Sequence, residues 1–464
     1  MQNPQYQQQQ HSLCPQTHTS APLALTSSLQ DMTSSPTLAI NEAVAARRVA
    51  GRKTIHLGFG EASFPLHPLL NDAMAHAAKR TGYAPVAGIP ALRQAIAAYL
   101  ERTRSLAFTP DNIIVAPGSK PLLYTLLQAL EGDVLLPVPS WVSYAPHARL
   151  AGLRVIPVET DASDHHRLTS QTLSNALARA RFEGANPRIL IVNTPSNPTG
   201  SMFSGEDAQA IARWSREHNI TLISDEIYAE LAHGWREHVS PAQFYPEGCI
   251  VTGGLSKAFS AGGWRLGYAA IPGGTAGKQL MTSLRALASE IWSSASTPVQ
   301  EAAVVAYSPN AELTAYVNAS ARIHGYATSR LYETLTGAGV LCPRSAGGFY
   351  LYPDFAPWRD ALLQRGVSTS EQLAHYLLDR WDIAALPGTA FGEEPRALRL
   401  RLATSMLYTP EESQSESERE AALRVMLAQV EKWPEGDTHD EMALEMPALE
   451  HARTRLGEFI RSLG

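Results

Sequence analysis

A lysine and an arginine stand among glycines in the segment GGLSKAFSAGGWRLGY, residues 253–268, directly after an apolar run. The amine of Lys257 could form a Schiff base with a carbonyl compound, which is a common covalent chemistry of catalytic lysines. Arg265 carries a planar guanidinium fork that matches a phosphate group. Because lysine and arginine more commonly lie on solvated surfaces, the neighbouring segments must decide whether these two belong to a site.

Two other segments place polar side chains where apolar runs end. In SDEIYAEL, Asp225 closes such a run and Tyr228 follows three residues later, whereas NTPSNPTG places Asn197 in a proline-rich turn. An aspartate there commonly caps a helix, and an asparagine commonly makes a turn. In open α/β sheets, however, ligands bind outside the carboxyl ends of the strands. We therefore expect these side chains to converge with Lys257 on one ligand.

The elements that must carry these residues follow an alternating pattern. Short apolar runs such as NIIVAPG, DVLLPVP, RILIVNTP and CIVTGGLS alternate with helical patterns. This alternation predicts an α/β fold with a mostly parallel sheet wrapped by helices. After Pro298 the pattern becomes more helical, and GGFYLYPDF and ALRLRLAT predict the strands of a smaller, separate sheet.

Changes in composition and pattern divide the chain into segments. Residues 1–34 are rich in Gln, Ser, Thr and Pro, which predicts a disordered leader. For the folded part, the family resemblance carried by the motifs below implies that residues 35–65 form the N-terminal part of a small domain, 66–309 a large domain that binds the ligand, and 310–433 the C-terminal part of the small domain. Residues 434–464 are expected to form a terminal extension.

Composition disfavours several classes of function. The 464 residues carry 38 Lys and Arg against 44 Asp and Glu, a formal net charge of −6, which does not favour a nucleic-acid partner. Cys14, Cys249 and Cys342 lie far apart, so we expect neither a disulfide framework nor a metal site. Without a long apolar stretch or a secretion signal, the sequence predicts a cytoplasmic protein that does not enter a membrane.

Eight motifs lead from these residues to a family. They are YAPVAGIPALR (83–93), APGSKPLL (116–123), PSWVSY (139–144), NTPSNPTG (193–200), SDEIY (224–228), SKAFSAGGWRLGY (256–268), LPGTAFG (386–392) and LRLRLATS (398–405). With them the chain resembles, over about residues 35–432, a class I aminotransferase of the aspartate aminotransferase superfamily. The resemblance implies a pyridoxal-phosphate-dependent enzyme of fold type I, with a large and a small α/β domain.

The resemblance implies pyridoxal 5′-phosphate as the cofactor and assigns its partners, without a metal ion. Lys257 would hold the cofactor as a Schiff base and later move the proton of the reacting carbon. Asp225 would pair with the pyridine nitrogen, so that the ring can accept electrons. Asn197 and Tyr228 would hydrogen-bond the phenolic oxygen and stabilise its anion.

The same resemblance places the phosphate of the cofactor at the start of a helix. Gly118, Ser119 and Lys120 would present unpaired N–H groups and the positive end of the helix dipole. Arg265 would bind the same phosphate. Tyr83 resembles the tyrosine that reaches the phosphate of the neighbouring subunit, which implies a homodimer with shared active sites.

The substrate would be held by a third set of residues. Trp141 would stack on the cofactor ring and, with Asn197 and Gly60, border the substrate. Arg399 matches the arginine that binds the α-carboxylate, because the trailing ATS aligns it with the family's arginine. Arg401 lies two residues further on and would share a strand face with it, so two arginines compete for one role.

Two positions bear on phosphate binding and on specificity. The family often has a serine three residues before the lysine, where this chain has Gly254, and Ser256 or Thr252 are the alternatives. Lys120 could meet the distal carboxylate of aspartate or glutamate, or it could only neutralise the phosphate.

Transamination is the activity that the resemblance implies. An L-amino acid, with aspartate and glutamate as candidates, would give its amino group to a 2-oxo acid by a ping-pong route. A β-eliminating lyase on the same scaffold is the alternative, because the motifs scarcely separate the two reactions. A regulator with an aminotransferase-like sensor would need a DNA-binding segment, which a leader without Lys or Arg does not provide.

Overall fold

The computed structural model describes most of the chain. The described residues are 35–234, 236–408, 415–433 and 444–464. The predicted leader and residues 434–443 of the predicted extension lie outside the described residues. The boundaries that we expect between the large and the small domain stay predictions.

The α-helices and β-strands alternate along much of the chain. In chain order they are α1 (Pro36–Val49), β1 (Ile55–His56), α2 (Pro68–Ala77), α3 (Pro90–Arg104), β2 (Ile113–Ala116), α4 (Ser119–Ala129), β3 (Asp133–Val138), α5 (Tyr144–Leu150), β4 (Val155–Glu159), α6 (Ser170–Phe182), β5 (Pro187–Asn193), α7 (Gly205–Glu217), β6 (Thr221–Asp225), β7 (Cys249–Gly254), β8 (Gly267–Ala270), α8 (Gly274–Ile291), α9 (Thr297–Tyr307), α10 (Ala311–Gly337), β9 (Tyr350–Leu351), α11 (Arg359–Leu363), α12 (Ser370–Trp381), β10 (Ile383–Ala384), β11 (Leu386–Pro387), β12 (Leu400–Ala403), α13 (Glu416–Glu431) and α14 (Pro447–Arg461).

The largest sheet among the described residues has seven strands in the order β2-β8-β7-β6-β5-β3-β4. In this sheet β8 runs antiparallel to both neighbours, β2 and β7, whereas the other neighbouring pairs are parallel. The predicted mostly parallel sheet is therefore confirmed. The carboxyl ends of β5, β6 and β7 lie side by side, because Asn193 pairs with Asp225 and Asp225 pairs with Thr252.

Both faces of this sheet are apolar and covered by helices. Along β2, Ile113 and Val115 pack into the core beneath α3, whereas Ile114 and Ala116 pack on the opposite side with α4 and α8. All four side chains are fully buried. A strand buried on both faces needs a continuous apolar run rather than an alternating one, which explains why runs such as NIIVAPG mark this sheet in the sequence.

Two smaller sheets lie apart from the large one in the pairing scheme. Strands β11, β12 and β9 form an antiparallel sheet in that order, which confirms the separate sheet predicted from GGFYLYPDF and ALRLRLAT. Strand β1 pairs in parallel with β10, through Ile55 with Ile383 and His56 with Ala384. A segment near the start of the described chain therefore shares a sheet with a segment more than three hundred residues later.

The C-terminal helix α14 is part of the core. It packs against α10, and its inward side chains include Leu449, Leu456 and Phe459, all fully buried. The Phe459 ring lies 5.8 Å from that of Phe355 and 5.6 Å from that of Trp381, measured between ring centres. The described part of the predicted extension is thus an integral element of the fold.

Within the described residues, no helix is both long enough and apolar enough to cross a bilayer. The same residues contain no group of three or more His, Cys, Asp or Glu side chains arranged to hold a metal ion. Cys249 and Cys342 are buried free thiols, and Cys14 lies outside the described residues.

Truncating Phe459 tests the role of α14. We expect Phe459→Ala to lower the free energy of unfolding by about 3–5 kcal/mol, because it removes a fully buried aromatic ring. Val425→Ala on α13 is the control, since Val425 is 69% exposed and should change stability by less than about 0.5 kcal/mol. Urea unfolding followed by circular dichroism measures both, and equal midpoints would show that α14 adds little to the core.

Candidate active site

A cavity of about 360 Å³ lies where the large sheet presents the carboxyl ends of its parallel strands. That volume is within the range of small-molecule sites. The structure brings together on its wall nine of the residues singled out from the sequence. They are Gly60, Ser119, Lys120, Trp141, Asn197, Asp225, Tyr228, Lys257 and Arg265. The predicted convergence on one cavity is thus a feature of the fold.

Lys257 follows β7 by three residues and points its amine into this cavity. Its Nζ donates a hydrogen bond to the carbonyl oxygen of Gly60 at 2.6 Å. The same nitrogen lies 5.6 Å from the ring centre of Tyr228 and 5.5 Å from that of Phe349. Burial among these groups lowers the pKa of Lys257 to about 8, although the nearby Glu61 carboxylate acts in the opposite direction. A neutral, nucleophilic amine is therefore accessible close to neutral pH.

Asp225 ends β6 with its carboxylate on the cavity wall and only 3% of its surface exposed. Its Oδ2 accepts a hydrogen bond from the Tyr144 hydroxyl at 2.7 Å, and its Oδ1 accepts one from Thr252 at 3.1 Å. Burial raises the pKa of Asp225 to about 6, even though both hydrogen bonds favour the ionised form. A carboxylate held this way is fixed in direction and gains from a cationic partner.

Asn197 and Tyr228 line the cavity from two neighbouring strand ends. The backbone of Asn197 is anchored by a hydrogen bond from its N–H to Oδ1 of Asn193, at 2.8 Å. The side chain is buried and its Oδ1 has no hydrogen-bond partner. The hydroxyl of Tyr228 lies 2.7 Å from that of Tyr350. An unsatisfied buried amide is costly, so Asn197 fits a position that a polar ligand completes.

The start of helix α4 forms an anion site together with Arg265. Gly118 caps the helix with φ of 94°, a conformation that favours glycine, and a Cβ there would collide with the Arg265 guanidinium. Ser119 and Lys120 of the first turn line the cavity. The first N–H groups of a helix are unpaired within it, and they lie here beside a guanidinium. This combination suits a phosphate group.

Lys120 also approaches the aromatic wall of the cavity. Its Nζ lies 5.2 Å from the ring centre of Trp141, which packs edge-to-face on Tyr144 at 5.1 Å. Burial and the neighbouring Arg265 charge lower the pKa of Lys120. The repulsion between these two cations eases when an anion binds between them or beside them.

The structure gives a reason for the glycine at position 254. A Cβ on Gly254 would lie 2.7 Å from the carbonyl oxygen of Leu266 and 3.0 Å from Cα of Gly267, so this turn has no room for a side chain. Of the two alternatives, Thr252 is engaged with Asp225, whereas Ser256 lines the cavity. Ser256 is thus the better placed of the two to contact a phosphate.

The choice between the two arginines of LRLRLATS needs correction. Arg399 does not line the cavity, because its Nε donates to Asp354 at 2.8 Å and its Nη1 to Glu393 at 2.6 Å. Arg401, one strand repeat of about 7 Å further along β12, lines it instead. The trailing ATS of the motif favoured Arg399, but the motif does not reveal the two carboxylates that engage its guanidinium.

Arg401 is a buried cation with an incomplete set of partners. It is 1% exposed, its Nη2 donates to the Gly58 carbonyl, and its Nε has no partner. No carboxylate pairs with it among the described residues. Its guanidinium instead lies 5.0 Å from the ring centre of Tyr350 and 5.6 Å from that of Phe391. Burial lowers its pKa, and a bound carboxylate would compensate for that burial.

Tyr83 does not line this cavity and is 96% exposed in the single chain. A large aromatic side chain in that position has no role in the core. Its exposure leaves the Tyr83 ring available to contact another molecule.

Sequence reasoning missed two tyrosines that the structure places in the site. Tyr144 holds Asp225, and Tyr350 holds Tyr228. Tyr144 lies in the PSWVSY motif, and Tyr350 lies in the strand pattern GGFYLYPDF. Both motifs were visible, but neither pattern shows where a hydroxyl group points.

The chain is similar to aminotransferases over most of its length. The family described as aminotransferase class I and II matches residues 52–409. The chain is a member of this family. An aspartate aminotransferase of Geobacillus stearothermophilus is 34% identical over 393 residues, which cover 83% of this chain and 95% of that protein. An aspartate/prephenate aminotransferase of Thermus thermophilus is 34% identical over 385 residues, with 81% and 94% coverage.

A solved structure shows that the similarity extends from the sequence to the fold. The aspartate aminotransferase of Thermus thermophilus with maleate superposes with a TM-score of 0.75 at 32% identity, covering 88% of this chain and all of that one. The chain therefore has fold type I and the activity of a pyridoxal-phosphate-dependent aminotransferase. The relatives support aminotransfer and not the lyase alternative.

The residues of this cavity fit pyridoxal 5′-phosphate, the cofactor of this family. The anion site at α4 suits its phosphate, and the directed carboxylate of Asp225 suits its pyridine nitrogen. The Asn197 amide on the cavity wall can donate a hydrogen bond to its phenolic oxygen through the Nδ2 hydrogens. The depressed pKa of Lys257 suits attack on its aldehyde.

The lowered pKa of Lys257 can be measured in protein stripped of cofactor. Acylation needs the neutral amine, so its rate should rise as the pH rises through about 8. Pulses of acetic anhydride at a series of pH values, read by peptide mass spectrometry, give the midpoint for Lys257, with the exposed Lys278 of α8 as internal reference. A midpoint near the ordinary lysine value of about 10.4 would contradict the desolvated site.

Proposed function

We propose that this aminotransferase transfers the amino group of a dicarboxylic L-amino acid, aspartate or glutamate, to a 2-oxo acid. Besides Lys257, three cations among the described residues line the cavity, and with Arg265 assigned to the cofactor phosphate the other two, Arg401 and Lys120, carry the proposal. Two cations match two carboxylates of one substrate. The relatives named aspartate aminotransferases, and the Thermus thermophilus enzyme solved with the dicarboxylate maleate, support this choice.

The residues divide the work of binding the cofactor and moving protons. Pyridoxal phosphate, when bound, supplies an aldehyde that captures the amine and a ring that accepts electrons from the reacting carbon. We infer that Asp225 keeps a proton on the ring nitrogen, and that Asn197 and Tyr228 donate hydrogen bonds to the phenolic oxygen. Lys257, once free as a neutral amine, takes the proton from the α-carbon of the substrate and returns it to C4′, the aldehyde carbon of the cofactor.

Substrate orientation falls to Arg401 in this proposal. Its buried guanidinium binds the α-carboxylate, which fixes the α-carbon over Lys257 and excludes water from the ion pair. Lys120 binds the distal carboxylate beside Trp141. The incoming 2-oxo acid carries the same α-carboxylate, so Arg401 serves both half-reactions of the ping-pong route.

We propose that the enzyme is a homodimer whose subunits complete one another's active sites through Tyr83. The exposure of this tyrosine in the single chain supports the proposal. Sedimentation of the holoenzyme tests the dimer, and the cofactor affinity of Tyr83→Phe compared with that of the wild type tests the role of the tyrosine.

We propose that the enzyme works in the reducing cytoplasm, in keeping with the free thiols of Cys249 and Cys342. Fractionation of its source cells would test this location.

Substrate choice is tested by replacing Lys120. With 2-oxoglutarate as acceptor, Lys120→Met should raise the KM for aspartate about tenfold and leave the KM for phenylalanine nearly unchanged, because only aspartate has a distal carboxylate. Lys278→Met is the matched control, since it removes a surface amine outside the cavity. Equal losses for both donors would assign Lys120 to the cofactor phosphate. Absence of transfer both from aspartate to 2-oxoglutarate and from glutamate to oxaloacetate would refute the proposed substrate class.

The α-carboxylate role is tested by a pair of conservative variants. Arg401→Lys should lower kcat/KM for aspartate about 100-fold, since lysine cannot reproduce the bidentate guanidinium contact. Arg399→Lys keeps a cation between Asp354 and Glu393 and should cost less than about fivefold. Steady-state kinetics decide between them, and a larger loss for Arg399→Lys would return the role to Arg399.

A further inference from the structure

Tyr350 touches three parts of the site at once. It lies in β9, is 1% exposed, and lines the cavity between Tyr228 and Arg401. Its hydroxyl is 2.7 Å from the Tyr228 hydroxyl and 3.5 Å from the Gly60 carbonyl oxygen. The same carbonyl accepts the hydrogen bond of Lys257. The Tyr350 hydroxyl therefore lies beside both Tyr228, the proposed partner of the cofactor's phenolic oxygen, and the Gly60 carbonyl, which holds the amine of Lys257.

The ring of Tyr350 supports the substrate cation. The Arg401 guanidinium lies 5.0 Å from its centre, within the range of cation–π attraction. A Cβ at Gly60 would collide with the Tyr350 hydroxyl, so the backbone of Gly60 packs directly on this side chain. The ring of Tyr350 thus supports Arg401, and the Tyr350 hydroxyl fits against the backbone of Gly60 because that residue has no side chain.

Proton counting shows how the two hydroxyls must share their hydrogen bonds. Each tyrosine has one proton to donate, whereas its oxygen can accept from a neighbour. If Tyr228 donates to the phenolic oxygen of the cofactor, it has no proton left for Tyr350. The 2.7 Å contact then needs the proton of Tyr350, for which the Gly60 carbonyl at 3.5 Å is the more distant acceptor. Donation from Tyr350 to Tyr228 polarises the Tyr228 hydroxyl and strengthens the hydrogen bond that Tyr228 donates.

We propose that Tyr350 is a positioning residue for transamination, whose hydroxyl strengthens the hydrogen bond from Tyr228 to the cofactor and whose ring holds Arg401 for the substrate carboxylate. This inference rests on the proposed function, because it uses the roles proposed for Tyr228 and Arg401. The two contributions belong to different atoms of one side chain, so different substitutions separate them.

The hydroxyl contribution is read from the visible absorption of the holoenzyme as the pH is varied. The pH at which the absorption change is half complete is the midpoint of this titration. Tyr228→Phe should raise this midpoint by about 1 pH unit, since the phenolic anion of the cofactor loses a hydrogen-bond donor. Tyr350→Phe should raise it by about 0.3 unit, through the weakened donation of Tyr228. The double variant should match Tyr228→Phe alone, because Tyr350 acts only through Tyr228.

Tyr352→Phe is the matched control for this titration. Tyr352 is equally buried two residues along the chain, but its hydroxyl donates to Glu393 at 2.8 Å, outside the cavity. The midpoint of this variant should equal that of the wild type. If Tyr350→Phe also keeps the wild-type midpoint, or if its effect adds fully to that of Tyr228→Phe, the hydroxyl contribution is refuted.

The ring contribution is read from steady-state kinetics. Tyr350→Leu should raise the KM for aspartate about tenfold, because Arg401 loses the nearer of its two aromatic neighbours and keeps only Phe391. Tyr350→Phe keeps the ring and should change this KM by less than about twofold. Melting temperatures identify any loss of folding, and equal KM values for the Leu and Phe variants in folded enzyme would overturn the ring contribution.

These outcomes separate the inference from the function on which it rests. A wild-type holoenzyme that gives no visible band, or no amino transfer from a dicarboxylic donor, refutes the proposed function. A wild type that transfers the amino group while its Tyr350 variants behave like wild type refutes the inference alone.

Discussion

The register between the parallel strands β5, β6 and β7 determines the position of the site groups that follow these strands. Asn193 of β5 lies opposite Asp225 of β6, which lies opposite Thr252 of β7. Side chains alternate between the two faces of a strand, so a slip of one residue would turn Asp225 away from the cavity. The apolar runs on both faces oppose such a slip, because it would exchange the residues packed beneath the two helical layers. The apolar packing of the sheet therefore fixes the position of the reactive side chains at the strand ends.

Within that frame, the site contains polar groups that the protein does not fully satisfy. Lys257 is held as an amine of low pKa, Asp225 as a carboxylate of raised pKa, and Arg401 as a buried guanidinium with a free Nε. Each of these groups lies where its ionised form is costly. In the proposed function, the aldehyde of the cofactor takes the amine of Lys257, its basic ring nitrogen faces the carboxylate of Asp225, and the carboxylate of the substrate meets the guanidinium of Arg401. Binding energy and specificity would thus come from the same three groups.

Much of this site could be predicted from the sequence, and the remainder depended on the directions of side chains. Lys257, Asp225 and Asn197 were predictable because they follow apolar runs, and runs of a parallel sheet must end at one edge. Arg401 was not chosen, because the pattern LRLRLATS puts two arginines on one face of a strand and cannot show that Asp354 and Glu393 engage Arg399. The hydroxyl contacts of Tyr144 and Tyr350 join residues from separate elements, and only the packed fold brings them together.

The pairing of β1 with β10 gives the two halves of the site different entropic costs. Most of the groups that fit the cofactor within one chain come from residues 118–265, so their assembly mainly needs the closure of loops within the large sheet, although Lys257 also donates to the Gly60 carbonyl. The substrate side joins Gly58 to Arg401, and the strands that support it bring Ile55 beside Ile383. Closing a longer loop costs more chain entropy, although the cost grows only slowly with length. The surroundings of Arg401, which we propose as the carboxylate site, are therefore the part that depends most on contacts between distant ends of the chain. A change that loosens either end of this long loop should disturb Arg401 more than Asp225 or Asn197, which the large sheet positions.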